Sequence, residues 1–479
     1  MNKKILLVFW LIFIALYSIN ILKFPIFEDE GQYLLYAQAI FDNPLQYFIV
    51  YFQNGILPMF GWLAATLTIF TQDSLLAARL LNVLLVSTLV FWIDRVAFLY
   101  SFNNKFRYIA IIFLFTSPVL FLNARIGLLD TSILVFTSWY IYFTAKILKK
   151  SDKKYDSLGL LISLLGAFLT KATAVFGLPT ILFLLILTYM QNGKKINLGI
   201  KKVLIIYSAV LSLLIAPLIF YGRQVAWDSG VSSVSFLDSS QIISKIKLNL
   251  RLTWMWFIVY FGQFLLLLPL LTFLKKKRIN QFYLIMVIWA LTSILLMIIM
   301  NRFYYPRHIL NLTVPFIVVA AGILSEIPVF AGSVILSIMI LIKLSTNYYL
   351  LFDFQKANLA LEDRVSYFEE YTAGTRVNDV ASKIDSLSQQ DPITVWLDGT
   401  YTLEYGLRRN LTGKKNIKFL SYRLGKQFIV HNIEEIYKDN ARVTYVVVNR
   451  FQPLTKNNLE LIENFKISFR QDIQIYQVK

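Results

Sequence analysis

Long apolar runs with few charges recur along residues 1–350, separated by short polar segments. About 20 apolar residues are enough to cross the hydrocarbon core of a bilayer as a helix. The first run, 5–22, has no small-residue cleavage site after it, so we interpret it as a retained helix rather than a signal peptide. Further runs of spanning length lie at 76–100, 107–122, 128–148, 203–221, 253–274, 281–300, 308–325 and 328–350.

The apolar stretch 157–190 is too long for one span, and Lys171 and Pro179 interrupt it. It predicts two short helices that meet near 170–173. The chain would then have about eleven transmembrane helices.

Two shorter helical patterns lie in the proline-containing segment 23–75, which separates the first two spans. They cover 33–41 and 58–70, and we expect amphipathic juxtamembrane helices in the membrane interface.

Beyond residue 350 the apolar runs shorten and strand-like patterns appear. Alternating or β-branched runs are typical of strands, and they occur at 393–398, 426–431, 442–450 and 466–478. The sequence therefore predicts a mainly α fold. A polytopic membrane helical bundle occupies 1–350, and a soluble α/β domain occupies 351–479.

The composition supports a membrane protein, because 57% of the residues are hydrophobic against about 45–50% in soluble domains. Much of the net charge of +19 lies in basic loops at 146–154, 193–202 and 275–278, so nucleic acid is not expected as a partner. With the amino terminus in the cytoplasm, all three loops fall on the cytoplasmic side. We therefore expect a multi-pass cell-membrane protein with an extracytoplasmic C-terminal domain.

The chain has no cysteine and two histidines. This excludes disulfides, thiol nucleophiles and cysteine metal sites, and nearly excludes histidine metal clusters. No cofactor is predicted with certainty, although a divalent cation stays open.

Three carboxylates, Glu28, Asp29 and Glu30, follow the first helix directly. A carboxylate at a helix end in a partly dry cavity can accept a proton from a hydroxyl group. The alternative is an ordinary acidic loop at the membrane interface.

Ionisable residues also border later spans on the same predicted face. Arg125 and Asp130 precede or begin one span, where charged groups are costly and suggest function; a pair that caps the helix is the alternative. Lys171 lies among apolar residues and needs an anionic partner such as a lipid phosphate, unless it extends to the lipid headgroups.

The segment 301–310 adds Arg302, Tyr305 and Arg307 to this face, and Arg79 begins the second span. Arginine binds phosphate through its planar fork, whereas the tyrosines fit an aromatic belt equally well. Together these residues predict one cavity with carboxylates and cations, suited to a reaction on a lipid phosphate.

Six motifs follow one another along the chain: FEDEGQY (27–33), LPMFGWLAA (57–65), AARLLNVL (77–84), ARIGLLDTSILVF (124–136), LTKATA (169–174) and YYPRHILNLTVPF (304–316). Their order resembles that of the polyprenyl-phosphate-sugar-dependent glycosyltransferases of the C-type membrane fold. The similar groups are the dolichyl-phosphate-mannose protein mannosyltransferases (glycosyltransferase family 39) and the aminoarabinose transferases that act on lipid A. The resemblance covers 5–325 and, more loosely, 371–382.

The resemblance implies an inverting sugar transfer from a polyprenyl-phosphate donor to an acceptor hydroxyl of a protein, glycan or lipid on the outer face. It assigns the base to Asp29, with Glu30 beside it, and a second acidic position to Asp130.

It also implies that basic residues hold the donor phosphate, which we carry over to Arg125, Lys171 and either Arg302 or Arg307. Two expected cations of the aminoarabinose transferases are missing, because Gln32 and Ile56 occupy their positions. These departures argue against the lipid A subtype.

Two other classes remain open: a transporter or lipid flippase, and an inactive relative that acts as a scaffold. Transporters favour ionisable groups near the bilayer midplane and often have inverted repeats. Here the charges gather at one predicted face and a soluble domain follows, which favours the enzyme.

Overall fold

The computed structural model describes twelve stretches of the chain: residues 1–48, 57–149, 154–220, 239–262, 264, 281–300, 305–370, 372–397, 400–421, 442–450, 459–468 and 471–479. They form two compact units. The first comprises Met1–Ile21 with Ala39–Ala360, and the second comprises Leu22–Gln38 with Leu361–Lys479. The predicted domain boundary after residue 350 stays a prediction.

The described part of the first unit is helical. Its α-helices, with α2 beginning in the second unit, are α1 (Lys3–Ser18), α2 (Glu28–Asp42), α3 (Pro44–Tyr47), α4 (Met59–Thr71), α5 (Ser74–Leu99), α6 (Asn104–Thr116), α7 (Pro118–Ala124), α8 (Leu129–Leu148), α9 (Lys154–Phe168), α10 (Leu178–Gln191), α11 (Leu198–Phe220), α12 (Ser239–Phe261), α13 (Gln281–Met300), α14 (Thr313–Glu326) and α15 (Val329–Phe352). The predicted helices at 33–41 and 58–70 correspond to α2 and α4.

Seven helical segments within the described residues are long and apolar enough to cross a membrane, or eight if one bent pair counts as a single span. The protein is therefore a multi-pass membrane protein. The predicted total of about eleven stays a prediction, because parts of the predicted spans 203–221 and 253–274 lie outside the described residues.

Local sequence sets where several of these helices begin. The carboxylate of Asp73 accepts a hydrogen bond from Leu75 N at 2.9 Å, and Asn103 Oδ1 accepts one from Phe106 N at 2.8 Å. Such side-chain caps satisfy backbone N–H groups that have no partner within the helix. They fix the starts of α5 and α6.

Two breaks in helical regions matter for the site. The predicted single span 107–122 is instead divided between α6 and α7, which bend by 58° at Ser117, since the residue before a proline disfavours the helical conformation. The break predicted near 170–173 is confirmed. There α9 ends at Phe168, and a 3₁₀ turn, Ala172–Gly177, precedes α10.

The second unit contains a mixed five-stranded sheet. Its elements after the membrane helices are α16 (Leu361–Arg364), a π turn (Val365–Glu369), α17 (Val377–Ser388), β1 (Ile393–Leu397), α18 (Tyr401–Asn410), β2 (Ile417–Ser421), β3 (Val443–Arg450), β4 (Leu459–Ser468) and β5 (Gln471–Val478). The strand order is β2-β1-β3-β5-β4. The pairs of β1 with β2 and with β3 are parallel, and the other pairs are antiparallel.

The core of the second unit lies between helices α17 and α18 and one sheet face, where Ile384, Leu403 and Val395 are buried. Two predicted strands are found in β1 and β3. The run predicted at 466–478 is divided between β4 and β5, β2 was not predicted, and 426–431 lies outside the described residues.

Candidate functional site

Three charged side chains from three different elements meet in the first unit. Lys171 Nζ donates to Asp130 Oδ1 at 2.9 Å, and Arg307 Nε lies 3.9 Å from Asp130 Oδ2. Asp130 is in the first turn of α8, whereas Lys171 and Arg307 lie at the starts of two 3₁₀ turns, Ala172–Gly177 and Pro306–Leu312. We call these three residues the Asp130 cluster.

The Asp130 cluster has two cations and one carboxylate, so it has a net positive charge. Its side chains remain partly accessible: Lys171 is 28% exposed, Asp130 14% and Arg307 12%. The excess positive charge attracts an anion, because opposite charges within a few ångströms stabilise each other. The cluster can therefore bind an anion, and a phosphate oxygen is a matching acceptor.

Tyr305 and His308 support Arg307 in the same turn. The guanidinium carbon of Arg307 lies 5.1 Å from the centre of the Tyr305 ring, within the range of a cation–π interaction. His308 Nδ1 accepts a hydrogen bond from Tyr305 N at 3.0 Å. At the level of sequence, the two histidines were weighed only as metal ligands, and the signal that could have found His308 was its position beside Arg307.

Helix α5 holds the turn that leads into Asp130. Asn82 is fully buried, and its Nδ2 donates to the carbonyls of Ile126 at 2.7 Å and Leu128 at 2.9 Å. Its Oδ1 accepts a hydrogen bond from the Ser132 hydroxyl at 3.0 Å. These bonds link two motifs of the sequence, AARLLNVL and ARIGLLDTS, and fix the start of α8.

Two other predicted phosphate ligands, Arg79 and Arg125, are fully buried. Arg79 donates to the carbonyl of Ile21 at 2.8 Å. Arg125 donates to the carbonyls of Leu350 at 2.8 Å and Ile19 at 2.5 Å. These bonds favour a structural role at the ends of helices and just after them, and binding of phosphate by either arginine stays a prediction.

Arg302 lies outside the described residues. The predicted alternative of an Arg125–Asp130 pair is not what the structure forms, since Asp130 pairs with Lys171 and Arg307.

The acidic run belongs to the second unit. Glu28 accepts hydrogen bonds from Tyr401 N at 2.8 Å and Thr402 N at 3.0 Å. Glu30 is fully buried, and its Oε2 accepts one from Phe27 N at 3.3 Å. Asp29 is half-buried in the first turn of α2. That Asp29 and Glu30 share a cavity with Asp130 stays a prediction.

Within the described residues, no group of three or more histidine, aspartate or glutamate side chains is arranged to hold a metal ion. The divalent cation left open by the sequence stays untested.

The chain is a polytopic membrane protein with the C-type glycosyltransferase fold, as the sequence predicted. It is similar to ArnT from Cupriavidus metallidurans solved with undecaprenyl phosphate bound, with a TM-score of 0.63, 12% identity, and coverage of 99% of this chain and 98% of that chain. ArnT in the apo state matches with a TM-score of 0.61, 12% identity, and coverage of 98% and 96%.

Residues 57–221 match the family model described as dolichyl-phosphate-mannose-protein mannosyltransferase. That segment includes Asp130 and Lys171. No curated protein sequence matches the chain. The family resemblance predicted from the motifs is thus confirmed by a family model over part of the chain and by a fold similarity over nearly all of it.

Proposed function

We propose that the protein is a membrane glycosyltransferase. It moves a sugar from a polyprenyl-phosphate donor to a hydroxyl group of a protein, glycan or lipid acceptor on the extracytoplasmic face, with inversion at the anomeric carbon. The observation that carries this proposal is the Asp130 cluster, which presents two partly accessible cations on the fold that ArnT also has.

Lys171 and Arg307 bind the donor phosphate. As the bond between the anomeric carbon and the phosphate oxygen breaks, its electron pair moves to the phosphate, and the two cations stabilise the added charge. Asp130 is held between both cations, so it orients them without contacting the phosphate. The departing polyprenyl phosphate is already a good leaving group. Neutralisation of its charge by the two cations therefore matters more than its protonation.

The acceptor oxygen attacks the anomeric carbon from the opposite side, and its proton passes to Asp29. This assignment of the base rests on the resemblance of FEDEGQY (27–33) to the first-loop motif of the family. A positioned carboxylate contributes about 10²–10⁴-fold to such a proton transfer.

The test compares Lys171→Met and Arg307→Met with Lys201→Met, whose side chain is exposed at the start of α11. Binding of undecaprenyl phosphate and transfer from a polyprenyl-phosphate sugar are measured on the purified full-length protein. Each charge-assisted contact with phosphate contributes about 1.5–3 kcal/mol. We therefore expect Kd for the lipid phosphate to rise about tenfold or more in the first two variants and to stay unchanged in Lys201→Met.

Equal binding and turnover in all three variants would show that the Asp130 cluster does not bind the donor. Binding without transfer of any sugar by the native protein would favour the transporter or scaffold class.

A further inference from the structure

The carboxylate of Glu28 occupies the amino-terminal end of helix α18. One of its oxygens accepts the hydrogen bond from Tyr401 N, and the other accepts bonds from Thr402 N and the Thr402 hydroxyl. The first N–H groups of a helix have no intrahelical partner, and the helix dipole favours negative charge there. Glu28 thus takes the place that a bound anion takes at other helix amino termini.

The position of α18 in the sheet strengthens this comparison. Helix α18 connects β1 to its parallel neighbour β2, and β3 pairs with β1 on the other side. In open α/β sheets, ligands bind beyond the carboxyl ends of the strands where the direction of the connections reverses. In the second unit, the side chain of Glu28 lies beyond the carboxyl end of β1, at the start of α18. Glu28 belongs to the segment Leu22–Gln38 of the same unit.

Backbone contacts hold the same segment on both sides of Glu28. Glu28 N donates to the carbonyl of Thr372 at 2.9 Å, and Gly374 N donates to that of Ile26 at 2.8 Å. A Cβ at Gly374 would lie 2.9 Å from the Ile26 oxygen, and one at Gly31 would lie 2.8 Å from the Tyr401 oxygen. These two close approaches require glycine, and Gly374 lies in the 371–382 motif that the reaction itself does not use.

We infer that Glu28 and Thr402 are positioning residues for Asp29. Glu28 ties the first turn of α2 to α18, and Asp29 is the next residue of that turn. The C-terminal unit thereby sets the direction in which the Asp29 carboxylate points. This inference rests on the role of Asp29 in the proposed function, and misplacement of a reacting group by about 1 Å can slow catalysis about 10²-fold.

The test uses the full-length protein with Glu28→Gln, which removes the charge, and Thr402→Val, which removes the hydroxyl donor. Thr402→Ser restores that donor. Glu460→Gln is the control, because Glu460 is an exposed carboxylate of the same unit. Steady-state transfer gives kcat and the KM for the lipid donor, and amide hydrogen exchange reports on residues 26–38.

We expect kcat to fall about tenfold in Glu28→Gln and less in Thr402→Val, with KM for the donor unchanged. Exchange over 26–38 should become faster in both variants. Thr402→Ser and Glu460→Gln should resemble the native protein in both measurements.

If amide hydrogen exchange over 26–38 in Glu28→Gln is as slow as in the native protein, Glu28 does not hold this segment against α18. Faster exchange with native kcat would overturn the positioning role. If the native protein transfers no sugar while exchange in Glu28→Gln is faster, the docking holds and the proposed function fails.

Discussion

At the residue scale, three consecutive carboxylates have three different surroundings. Glu28 caps α18, and Glu30 is buried and accepts a hydrogen bond from Phe27 N. Asp29, between them, is half-buried. Removing the charge of each residue should therefore have a different consequence.

We expect Asp29→Asn to lower the rate of sugar transfer at least about 10²-fold, with little change in the thermal unfolding midpoint. Glu30→Gln should lower the midpoint instead, because it replaces a buried hydrogen-bonded carboxylate. Transfer assays and thermal unfolding of the two purified variants separate these outcomes. Full turnover in Asp29→Asn would show that another group is the base.

The sequence did not distinguish the cations that form the Asp130 cluster from those that hold the fold. Arg79, Arg125, Lys171 and Arg307 all border apolar runs. Their roles separate only through tertiary partners: buried backbone carbonyls for the first two and a partly exposed carboxylate for the others. Those partners are distant in sequence, so local pattern does not contain this information.

At the element scale, α5 fixes the start of α8 through one side chain. The three hydrogen bonds of Asn82 reach Ile126, Leu128 and Ser132. They satisfy the backbone of a turn in a fully buried place, where an unsatisfied polar group is costly. Asp130 lies in the first turn of the helix that follows.

Asn82→Leu keeps the number and branching of the side-chain heavy atoms but removes all three bonds. We expect it to destabilise the first unit by about 2 kcal/mol or more and to weaken binding of undecaprenyl phosphate, since Asp130 loses its fixed position. Thermal unfolding and lipid-phosphate binding are the measurements. Asn104→Ala, at an exposed asparagine, is the control, and equal behaviour of the two variants would contradict the supporting role of Asn82.

Most helices and two strands could be predicted because their patterns are local. The break at Ser117 was missed although the sequence shows Ser117-Pro118, since hydropathy stays high across it. In the C-terminal unit, residues 466–478 were predicted as one strand because polar and apolar residues alternate in both β4 and β5. Only the antiparallel pairing of the two strands shows that the run is divided.

At the scale of the whole molecule, the second unit is assembled from segments far apart in the chain. Leu22–Gln38 packs with Leu361–Lys479, through contacts such as the one from Glu28 to Thr402 across 374 positions. The sequence predicts 23–75 as part of the membrane domain, because hydropathy follows neighbours along the chain, and this assignment stays a prediction. A long-range partnership of this kind has no local signal.

The orientation of the whole molecule in the membrane gives the last prediction. Lys194, Lys195, Lys201 and Lys202 lie between or at the ends of α10 and α11, and short basic loops are retained on the cytoplasmic side. The loop 192–197 should therefore face the cytoplasm, and the second unit should face outward, where the proposed acceptor is.

The chain contains no cysteine, so single cysteines can be introduced and labelled without background. Lys195→Cys and Asp379→Cys place a thiol at exposed positions of the first and second units. With a membrane-impermeant maleimide on spheroplasts, we expect Asp379→Cys to be labelled at once and Lys195→Cys only after permeabilisation. The native protein, treated in the same way, is the control for unspecific labelling. The opposite pattern would place the C-terminal unit in the cytoplasm, and transfer to an extracytoplasmic acceptor would then be impossible for this protein.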